Sequence, residues 1–591
     1  MGATYSTLVH STSSAFNTRL QSWLQNFTGK KMAIASLCAS VPLILGYLGL
    51  RLTGKTKGKD FTKGKGIKDG VERSQSRLDD DLASIASGTL FSTGATSNES
   101  SLLKKHSKTQ SVTTSTHTYP SIRTFYFDLP KQESLPTTLP LVVFIHGLGG
   151  QVAQFQYLID YFVHISHVLG IDLPGCGASA FLPKDPSAYT TEALVEILEN
   201  VIPQYLRPNQ QFVIIGHSMG CALSCTLLQP SRPLAARCAG LVAICPKAEL
   251  SEHERKQFKK ALMMPESIFD LWRMYDRRGG VDSASVKRFV GKSANKKVRA
   301  MQVRFNEESR TPVWRRMVTG FSLPPSDDWS RVKCPVYLLG ASEDKITPIS
   351  EIDKIYEWLG GEARKDVEKE VVPNAGHSLI FEAPQVTSKL VGDFLKTHIR
   401  EELDLGWQLS YLKEDKWMLK NLTKWTNFVP VGERVGNSRF RPMKTLREND
   451  AVHNPADFAA NYPEIGHVID ISHTSPPYEP ASLGPKITYH KFPTVSKIAP
   501  TLSEVRQFIE IVDGILENLP EDAERPMIAV HCHYGFNRTG FFLVSYLIER
   551  CGYDVPAAIE EFKKARDPGI RHSHFKNELY HRYSMAGEGR K

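Results

Sequence analysis

The chain has 591 residues, a length that predicts two or more domains. Its content of 41% hydrophobic and 23% charged residues is typical of globular protein and excludes a wholly disordered chain. The nine cysteines are odd in number, lack a paired Cys-x-x-Cys and show no regular spacing. A disulfide-stapled secreted fold is therefore excluded, and a reducing compartment is expected.

The first 50 residues have the features of a membrane attachment. Residues 1–31 are polar and free of acidic side chains, and the opening MGATYS fits the pattern for N-myristoylation on Gly2. Residues 32–50 are apolar and uncharged, and as a helix they would extend about 28 Å, close to the thickness of the bilayer core. We therefore predict a transmembrane helix there. A cleaved signal peptide is disfavoured because the run is long and starts late.

The charge around this segment predicts its orientation. More lysine and arginine residues follow the apolar run than precede it, so the positive-inside rule places residues 51–591 in the cytosol. The prediction is a single-pass membrane protein, with a mitochondrial membrane as an alternative location.

Residues 51–120 are basic at first and then rich in serine, threonine and glycine, which predicts a disordered linker. The net charge of +10 is concentrated near its start. This cluster favours an anionic membrane surface or nucleic acid, with a solvated linker as the alternative. Its basic residues are Arg51, Lys55, Lys57, Lys59, Lys63, Lys65 and Lys68.

Residues 121–400 alternate apolar strands with amphipathic helices, which predicts a mostly parallel sheet covered by helices on both faces. The expected strands lie within 139–150, 168–179, 211–228, 240–248 and 335–348. A helix-rich insertion, residues 249–330, interrupts the alternation.

The turn GHSMG between a strand and a helix fits the G-x-S-x-G nucleophile elbow around Ser218. A serine hydroxyl needs a histidine base that is oriented by a carboxylate. In chain order, the acid is expected at Asp344, after the strand PVYLLG, and the base at His377, after the next strand. The backbone N–H groups of Met219 and Leu148 would form the oxyanion hole.

These pieces, in this order, make residues 123–400 resemble the α/β-hydrolase family. The resemblance implies a serine hydrolase acting on an ester, with 249–330 as a helical lid. It favours Asp344 over Glu343, because GASEDKITP matches the family at Asp344. The alternative is a hydrolase core kept as a binding scaffold.

Residues 401–414 predict a helical connector, and residues 415–587 a second, smaller α/β domain. In IAVHCHYGFNRTG, a buried strand is followed by Cys532 and, six positions later, by Arg538 and a helix. Loop amides and a helix N-terminus favour an anion, lower the pKa of a cysteine and favour the thiolate. Arginine can hold phosphate oxygens through two hydrogen bonds, and Gly535 and Gly540 permit the tight bend. The stretch therefore predicts a phosphate-monoester site.

This stretch resembles the signature of cysteine-dependent protein-tyrosine and dual-specificity phosphatases. It is more similar to the RNA-triphosphatase domain of mRNA capping enzymes, as are KWTNFVPVGERVGNSRFRPMKT and ARDPGIRHSHFKNELYHRY. By this resemblance Cys532 is the nucleophile and Arg538 the phosphate clamp, while His531 and Thr539 tune the thiolate. The cradle amides would be those of His533, Tyr534, Gly535, Phe536, Asn537 and Arg538.

A general acid is missing from its usual place. Most related phosphatases carry an aspartate 30–40 residues before the cysteine, about where HKFPTVSKIAPT (490–501) holds neither aspartate nor glutamate. Asp470 is expected to be structural, and Asp567 could approach only from the far side. The capping-enzyme type shows the same gap, since its diphosphate leaving group needs little protonation.

The prediction is thus an α/β, membrane-anchored chain that joins an ester hydrolase to a cysteine phosphatase, with no cofactor and no metal. Expected partners are a phosphorylated protein or other phosphate substrate, an ester (including lipid) and a membrane. A scaffold role for one or both domains is the alternative. RNA 5′-triphosphatase activity comes third, with nucleic acid disfavoured as a partner.

Overall fold

A computed structural model describes residues 99–130, 132–411, 419–473, 475–517 and 526–585. The predicted segment 1–31, the predicted membrane helix 32–50 and the linker up to residue 98 lie outside the described residues. In the part that is described, no helix is both long enough and apolar enough to cross a membrane.

The strands form two sheets. They are β1 (Ser107–Thr113), β2 (Thr118–Phe127), β3 (Leu141–Ile145), β4 (His167–Ile171), β5 (Phe212–His217), β6 (Cys238–Ile244), β7 (Val336–Ala341), β8 (Val367–Val372), β9 (Phe440–Met443), β10 (Ile465–Asp470), β11 (Thr488–Lys491) and β12 (Met527–His531).

Helices cover both sheets. Those of the first half are α1 (Ser101–Lys105), α2 (Gln156–Phe162), α3 (Thr191–Val201), α4 (Met219–Leu227), α5 (Glu252–Met263), α6 (Glu266–Asp276), α7 (Ala284–Phe289), α8 (Lys296–Glu308), α9 (Thr311–Gly320), α10 (Ser326–Ser330), α11 (Ile349–Trp358), α12 (Leu379–Glu382) and α13 (Pro384–His398). The remainder are α14 (Leu405–Tyr411), α15 (Leu419–Thr426), α16 (Pro455–Asn461), α17 (Leu502–Glu517), α18 (Asn537–Cys551), α19 (Val555–Ala565) and α20 (Ser573–Met585).

The first sheet has eight strands in the order β1-β2-β4-β3-β5-β6-β7-β8. From β4 to β8 all neighbours are parallel, which confirms the predicted sheet type. Alternate residues of β3 enter different cores: Leu141, Val143 and Ile145 belong to one, and Val142 and Phe144 to the other. Burial on both faces explains why these strands are continuous apolar runs in the sequence.

The sheet begins earlier than the sequence predicts. The end of the predicted linker 51–120 is ordered, because β1 and the start of β2 pair antiparallel at the edge of the sheet. An edge strand needs few buried positions, and in β1 only Val112 is fully buried. Threonine and valine also favour strands, so a Ser/Thr-rich segment that suggested disorder forms a strand instead.

The helix-rich insertion lies between β6 and β7, as predicted, and consists of α5 to α10. Several of its apolar side chains are solvent-exposed, among them Met263, Ile268 and Trp272. The insertion also packs inward, since Phe305 and Val298 lie in the core that contains Val142 and Phe144 of β3.

The second sheet has four parallel strands in the order β11-β10-β12-β9. Strand β12 lies in the middle and leads through a short loop into α18. Gly552, with φ of +74°, ends α18 in the left-handed conformation that favours glycine at the end of a helix.

The two sheets belong to one compact unit, and α13 contacts α20. Lys389 Nζ lies 3.3 Å from Glu578 Oε2 across this contact. Tyr580 packs against the core of each domain. The second domain is thus in direct contact with the first.

Candidate active sites

Ser218 occupies the sharp turn between β5 and α4. Its φ of 53° and ψ of −118° are strained values for a residue with a side chain. The turn requires Gly220, since a Cβ there would lie 2.2 Å from the carbonyl oxygen of Ile145. Ser218 is half-buried and lies at the carboxyl edge of the parallel strands. This is the geometry predicted for a nucleophile elbow.

The predicted acid and base are in direct contact. His377 Nδ1 lies 2.8 Å from Asp344 Oδ2, and both side chains are buried. Thr347 donates its hydroxyl to the same carboxylate oxygen at 2.7 Å, and the N–H groups of Ile346 and Thr347 donate to Oδ1. Burial alone would raise the pKa of Asp344, but His377 and these hydrogen bonds lower it to about 2.

Glu343, the disfavoured acid, faces elsewhere. Its carboxylate accepts a hydrogen bond from the N–H of Lys292 at 2.5 Å. The structure therefore pairs His377 with Asp344, as the sequence pattern favoured.

His217, next to the serine, also contacts His377. Its Nε2 donates to the carbonyl oxygen of His377 at 2.9 Å, and burial lowers its pKa to about 3. His217, Cys245 and His377 place ligand atoms within 4.8 Å of one another, so nitrogen and sulfur donors for a metal are close together. In this structure His217 Nε2 and His377 Nδ1 are engaged in the bonds described above, which makes His217 a support for the loop that carries His377.

The loop after β3 runs beside Ser218. A Cβ on Gly147 would lie 2.9 Å from the Cβ of Ser218, so Gly147 borders the serine, and Leu148 follows it in the chain. Met219 begins α4 directly after the serine. The role of the Met219 and Leu148 N–H groups as an oxyanion hole stays a prediction.

Cys532 follows β12 at the start of the predicted phosphate cradle and is buried. Burial would raise the pKa of its thiol. The Arg538 guanidinium, the Thr539 hydroxyl and the Thr539 and Gly535 amides outweigh burial, so the pKa is lowered. Among the groups that lower the pKa, the arginine charge is the largest, ahead of the amides that the sequence singled out.

Arg538 is held on one side only. Its Nη1 donates to the carbonyl oxygens of Ile471 (3.0 Å) and Thr494 (2.8 Å). In the described chain, Nε and Nη2 donate no hydrogen bond to protein atoms. One edge of the guanidinium thus fixes its direction, and the other is available for two phosphate oxygens.

The cradle carbonyls are tied down from outside. The carbonyl oxygen of His533 accepts the N–H of Thr445 at 3.0 Å, and that of Tyr534 accepts Arg566 Nη2 at 2.9 Å. Gly535 has φ of +76°, and a Cβ there would lie 2.1 Å from the carbonyl oxygen of Met443. Only glycine fits at position 535, which explains why the sequence has glycine there.

Asn537 and Phe536 connect the cradle to its surroundings. The Asn537 side-chain oxygen accepts the N–H groups of Arg571 (2.8 Å) and His572 (3.0 Å). The Phe536 ring packs edge-on against Phe428. These two residues of the predicted cradle serve its architecture through their side chains.

His531 and Thr539 stand at the two ends of the cradle sequence, and the tuning of the thiolate by His531 stays a prediction. His531 is fully buried, its Nε2 lies 2.8 Å from the Tyr478 hydroxyl, and burial lowers its pKa. The Thr539 hydroxyl has no other hydrogen-bond partner in the described ranges, and it lowers the pKa of Cys532.

Two arginines beside the cradle were missed by sequence reasoning. Arg566 lies over the Phe536 ring at 4.9 Å, and burial lowers its pKa to about 10. Arg571 lies 5.4 Å from the Phe428 ring centre, and its guanidinium donates no hydrogen bond within the described chain. Both occur in ARDPGIR, which the sequence comparison used only as a likeness. The available signal was the presence of two arginines, Arg566 and Arg571, in one segment that resembles the phosphatase subfamily.

The acidic residues near Cys532 are engaged elsewhere. Asp470 is fully buried and accepts hydrogen bonds from the Tyr489 hydroxyl, Lys491 Nζ and the Ser472 N–H. Burial would raise its pKa, but the neighbouring His531 and these bonds lower it, so Asp470 is ionised and cannot donate a proton. Asp567 is exposed, and its expected approach from the far side of the site stays a prediction.

Family comparisons agree with this arrangement. Residues 142–390 match the alpha/beta hydrolase family, and residues 451–585 match the dual specificity phosphatase catalytic domain. The chain therefore carries an α/β-hydrolase domain followed by a dual-specificity-type phosphatase domain, and both are hydrolase folds.

Known relatives divide between the two domains. An abhydrolase domain-containing protein of Schizosaccharomyces pombe is 28% identical over 47% of this chain and 74% of its own length. The mRNA-capping enzyme of Danio rerio is 32% identical over 27% of this chain and 28% of its own. The RNA/RNP complex-1-interacting phosphatase of Bos taurus is 30% identical over 26% of this chain and 50% of its own. This chain thus spans half or less of the two phosphatase relatives.

Proposed function

We propose that this chain is a membrane-anchored bifunctional hydrolase, in which Cys532 removes phosphate groups and Ser218 cleaves an ester. The observation that carries the phosphatase proposal is the pairing of Cys532 with Arg538. A buried thiol whose pKa is nevertheless lowered, beside a guanidinium with one free edge, suits attack on a phosphate dianion.

In the proposed reaction, the Cys532 thiolate attacks phosphorus and the bond to the leaving oxygen breaks. The leaving group departs with the electron pair, and a phosphocysteine remains. Water then attacks phosphorus, which releases inorganic phosphate and restores the thiolate. The free edge of Arg538 and the cradle amides bind the equatorial oxygens throughout, where they stabilise the developing charge.

The acidic side chains favour one class of leaving group. With Asp470 ionised and buried, and no carboxylate in the loop 490–501, the site has no evident proton donor for a poor leaving group. We infer that it acts on aryl phosphates, including phosphotyrosine, and on phosphoanhydrides, whose leaving groups depart without protonation. Arg571 supports the second class, because its guanidinium lies beside the cradle and has no carboxylate partner among the residues that the structure describes.

The test is phosphate release from three substrates: a phosphotyrosine peptide, a phosphoinositide and a 5′-triphosphate RNA. Cys532→Ser serves as the control. We expect turnover that depends on Cys532 with at least one of the three. Absence of turnover from folded protein would favour the alternative, in which this domain binds phosphorylated partners without reacting.

RNA 5′-triphosphate hydrolysis is a specific alternative within the phosphoanhydride class. It is supported by the likeness to a protein named mRNA-capping enzyme and by the absence of an evident general acid. The RNA arm of the experiment decides it, since a preference for 5′-triphosphate RNA over the phosphotyrosine peptide would establish this substrate.

For the first domain we propose serine ester hydrolysis. Asp344 and His377 support the proposal because they are in contact, and Ser218 because it occupies a strained elbow. Ser218 would attack the ester carbonyl while His377 accepts its proton. A fluorophosphonate probe should label the wild-type protein and not Ser218→Ala. Absence of labelling in folded wild type would favour a scaffold domain.

Membrane attachment through residues 32–50 is proposed from the sequence alone, with the two catalytic domains in the cytosol. Full-length protein should remain in the membrane pellet after alkaline carbonate extraction, whereas a chain without residues 1–52 should be released. Full-length protein in the alkaline supernatant would exclude the anchor.

A further inference from the structure

The phosphatase domain contains a loop, residues 492–501, that connects β11 to α17 and contacts Arg538 at one end. Thr494 accepts Arg538 Nη1 through its carbonyl oxygen (2.8 Å) and its hydroxyl oxygen (3.3 Å). The Thr494 hydroxyl in turn donates to the carbonyl oxygen of Ile471 at 2.8 Å, which also accepts Arg538. The position of Thr494 therefore sets the direction of the guanidinium.

Phe492, at the start of this loop, is buried in the core of the phosphatase domain, but the middle of the loop has little apolar anchoring. Val495 is 53% exposed and Ile498 is 48% exposed, so neither contributes a buried contact that would fix the backbone. Lys497 has φ of +70°, an unfavourable conformation for a residue with a side chain. A loop of this kind keeps one shape only when other contacts hold it.

Those contacts come partly from α14, a helix of the connector 401–414 that packs on the hydrolase domain. Lys497 donates its ammonium group to the carbonyl oxygen of Leu409 in α14. A Cβ on Gly406, in the same helix, would lie 3.2 Å from the carbonyl oxygen of Lys497, so the helix and the loop touch.

Helix α14 is itself fixed on the hydrolase core. Gln408 donates its side-chain amide to the carbonyl oxygens of Ile165 (2.7 Å) and Glu402 (2.6 Å). Leu405 is buried in the same cluster as β3. The Leu409 carbonyl thus belongs to a helix that is held on the first domain.

Helix α20 holds the loop from the other side. His574 Nε2 donates to the carbonyl oxygen of Lys497 at 2.9 Å, and Arg582 donates to that of Pro500 at 2.7 Å. This helix also contacts the hydrolase domain, where Glu578 lies 3.3 Å from Lys389 Nζ. One support of the loop therefore comes from α14, and the other, α20, is packed in the phosphatase core and also contacts the first domain.

We propose that the hydrolase domain is a structural part of the phosphatase site. Lys497 is the positioning residue that links this domain, through α14, to the loop that holds Arg538. Contact between Lys497 and α14 keeps loop 492–501 in the shape that places Thr494 on Arg538. Loss of that contact would let Arg538 turn away from Cys532. The expected loss of turnover rests on the proposed phosphatase function, whereas the expected displacement of Arg538 does not.

The test uses the full chain and two perturbations, one on each side of the contact. Lys497→Met removes the hydrogen bond to Leu409, and Gly406→Val places a branched side chain against the Lys497 carbonyl. Lys486→Met is the matched control, because Lys486 is an exposed lysine of the same domain. Lys497→Arg keeps a donor at the contact.

We expect kcat/KM on an aryl phosphate to fall about ten- to a hundredfold in both perturbing variants, because small displacements of catalytic groups reduce rates by such factors. Lys486→Met should match wild type, and Lys497→Arg should recover part of the loss. Fluorophosphonate labelling of Ser218 should be unchanged in all four, which shows that the hydrolase domain is intact, and an unchanged thermal unfolding curve shows the same for the phosphatase domain. Wild-type kcat/KM in folded Lys497→Met would overturn the proposal.

A second readout does not need turnover. The rate at which iodoacetate alkylates Cys532, followed on its peptide as a function of pH, reports the pKa of the thiol. Displacement of Arg538 should shift that profile to higher pH in Lys497→Met and Gly406→Val but not in Lys486→Met. If wild type shows no turnover while this shift occurs, the proposed reaction fails and the positioning role stands. An unshifted profile in both variants overturns the positioning role.

Discussion

His377 Nδ1 and Asp344 Oδ2 lie 2.8 Å apart, and the Thr347 hydroxyl donates to the same carboxylate oxygen at 2.7 Å. The carboxylate therefore holds the imidazole in the orientation that directs its other nitrogen away from Asp344. Because the pKa of Asp344 is lowered to about 2, this carboxylate stays charged at any pH at which the protein would be assayed.

The first prediction concerns the strength of that support. Asp344→Asn should slow fluorophosphonate labelling of Ser218 by about 10³-fold or more, because the amide favours the wrong imidazole tautomer. Thr347→Val should slow it by about tenfold, since one hydrogen bond to the carboxylate is lost. Thr347→Ser retains the hydroxyl and should label like wild type. Equal labelling of Thr347→Val and wild type would show that the hydroxyl contributes nothing.

The second prediction concerns the thiol. Arg538 is the largest of the groups that lower the pKa of Cys532, so Arg538→Ala should raise that pKa and shift the alkylation profile to higher pH. Thr539→Val should produce a smaller shift in the same direction. Arg538→Lys keeps the charge but not the fork, so it should largely preserve the alkylation profile while abolishing most turnover. A profile in Arg538→Ala that coincides with wild type would contradict the electrostatic assignment.

The third prediction concerns acid sensitivity. His574 is partly buried, and loss of solvent around its ring lowers its pKa from 6.5 to about 4. As pH falls, His574 therefore takes up a proton in the unfolded chain before it does so in the folded protein. Its neutral form in the folded protein costs no stability above about pH 6.5, and the folded state loses stability as pH falls from there towards 4. The contribution amounts to about 1 kcal/mol per pH unit in that window.

His574→Gln tests this, because it keeps an N–H donor for Lys497 but cannot titrate. Its free energy of unfolding should fall less than that of wild type between pH 6.5 and 5. His581→Gln, on the same helix α20, is the matched control and should follow wild type. Identical pH dependence in all three proteins would exclude His574 as the group responsible.

Much of both sites was predictable because their chemistry lies in short motifs. Ser218 and Cys532 each follow a strand and precede a helix, so the local sequence determines the turn. Asp344 and His377 were predictable because each follows a strand of the parallel sheet, in the order serine, acid, histidine along the chain. The choice of Asp344 over Glu343 came from the resemblance to the α/β-hydrolase family.

The rest depended on contacts between segments distant in sequence. Thr494 and Ile471 hold Arg538 through backbone oxygens, which any residue type provides, so no pattern in the sequence identifies them. Strand β1 was missed because an edge strand needs almost no apolar residues. The contact between Lys497 and Leu409 likewise joins two domains through a carbonyl oxygen.

The last prediction concerns the leaving group. Asp470 is ionised and buried, and Glu504, whose charge acts on Arg538, is held by the N–H and hydroxyl of Thr501. A general acid typically contributes 10²–10⁴-fold on poor leaving groups. The rate should therefore fall steeply as leaving-group pKa rises across a series of aryl phosphates, and phosphoserine should react slowly.

Variants locate any acid that this series reveals. Asp567→Asn and Glu504→Gln should each change the rate on a good aryl phosphate by less than about tenfold, because neither carboxylate is placed to protonate it. Asp470→Asn should mainly lower thermal stability, since it disturbs the buried hydrogen bonds to Tyr489 and Lys491. A flat leaving-group dependence in wild type, together with a hundredfold loss and a steep dependence in one of these variants, would identify that residue as the acid. The site would then accept alkyl phosphates, and phosphoserine would become a substrate.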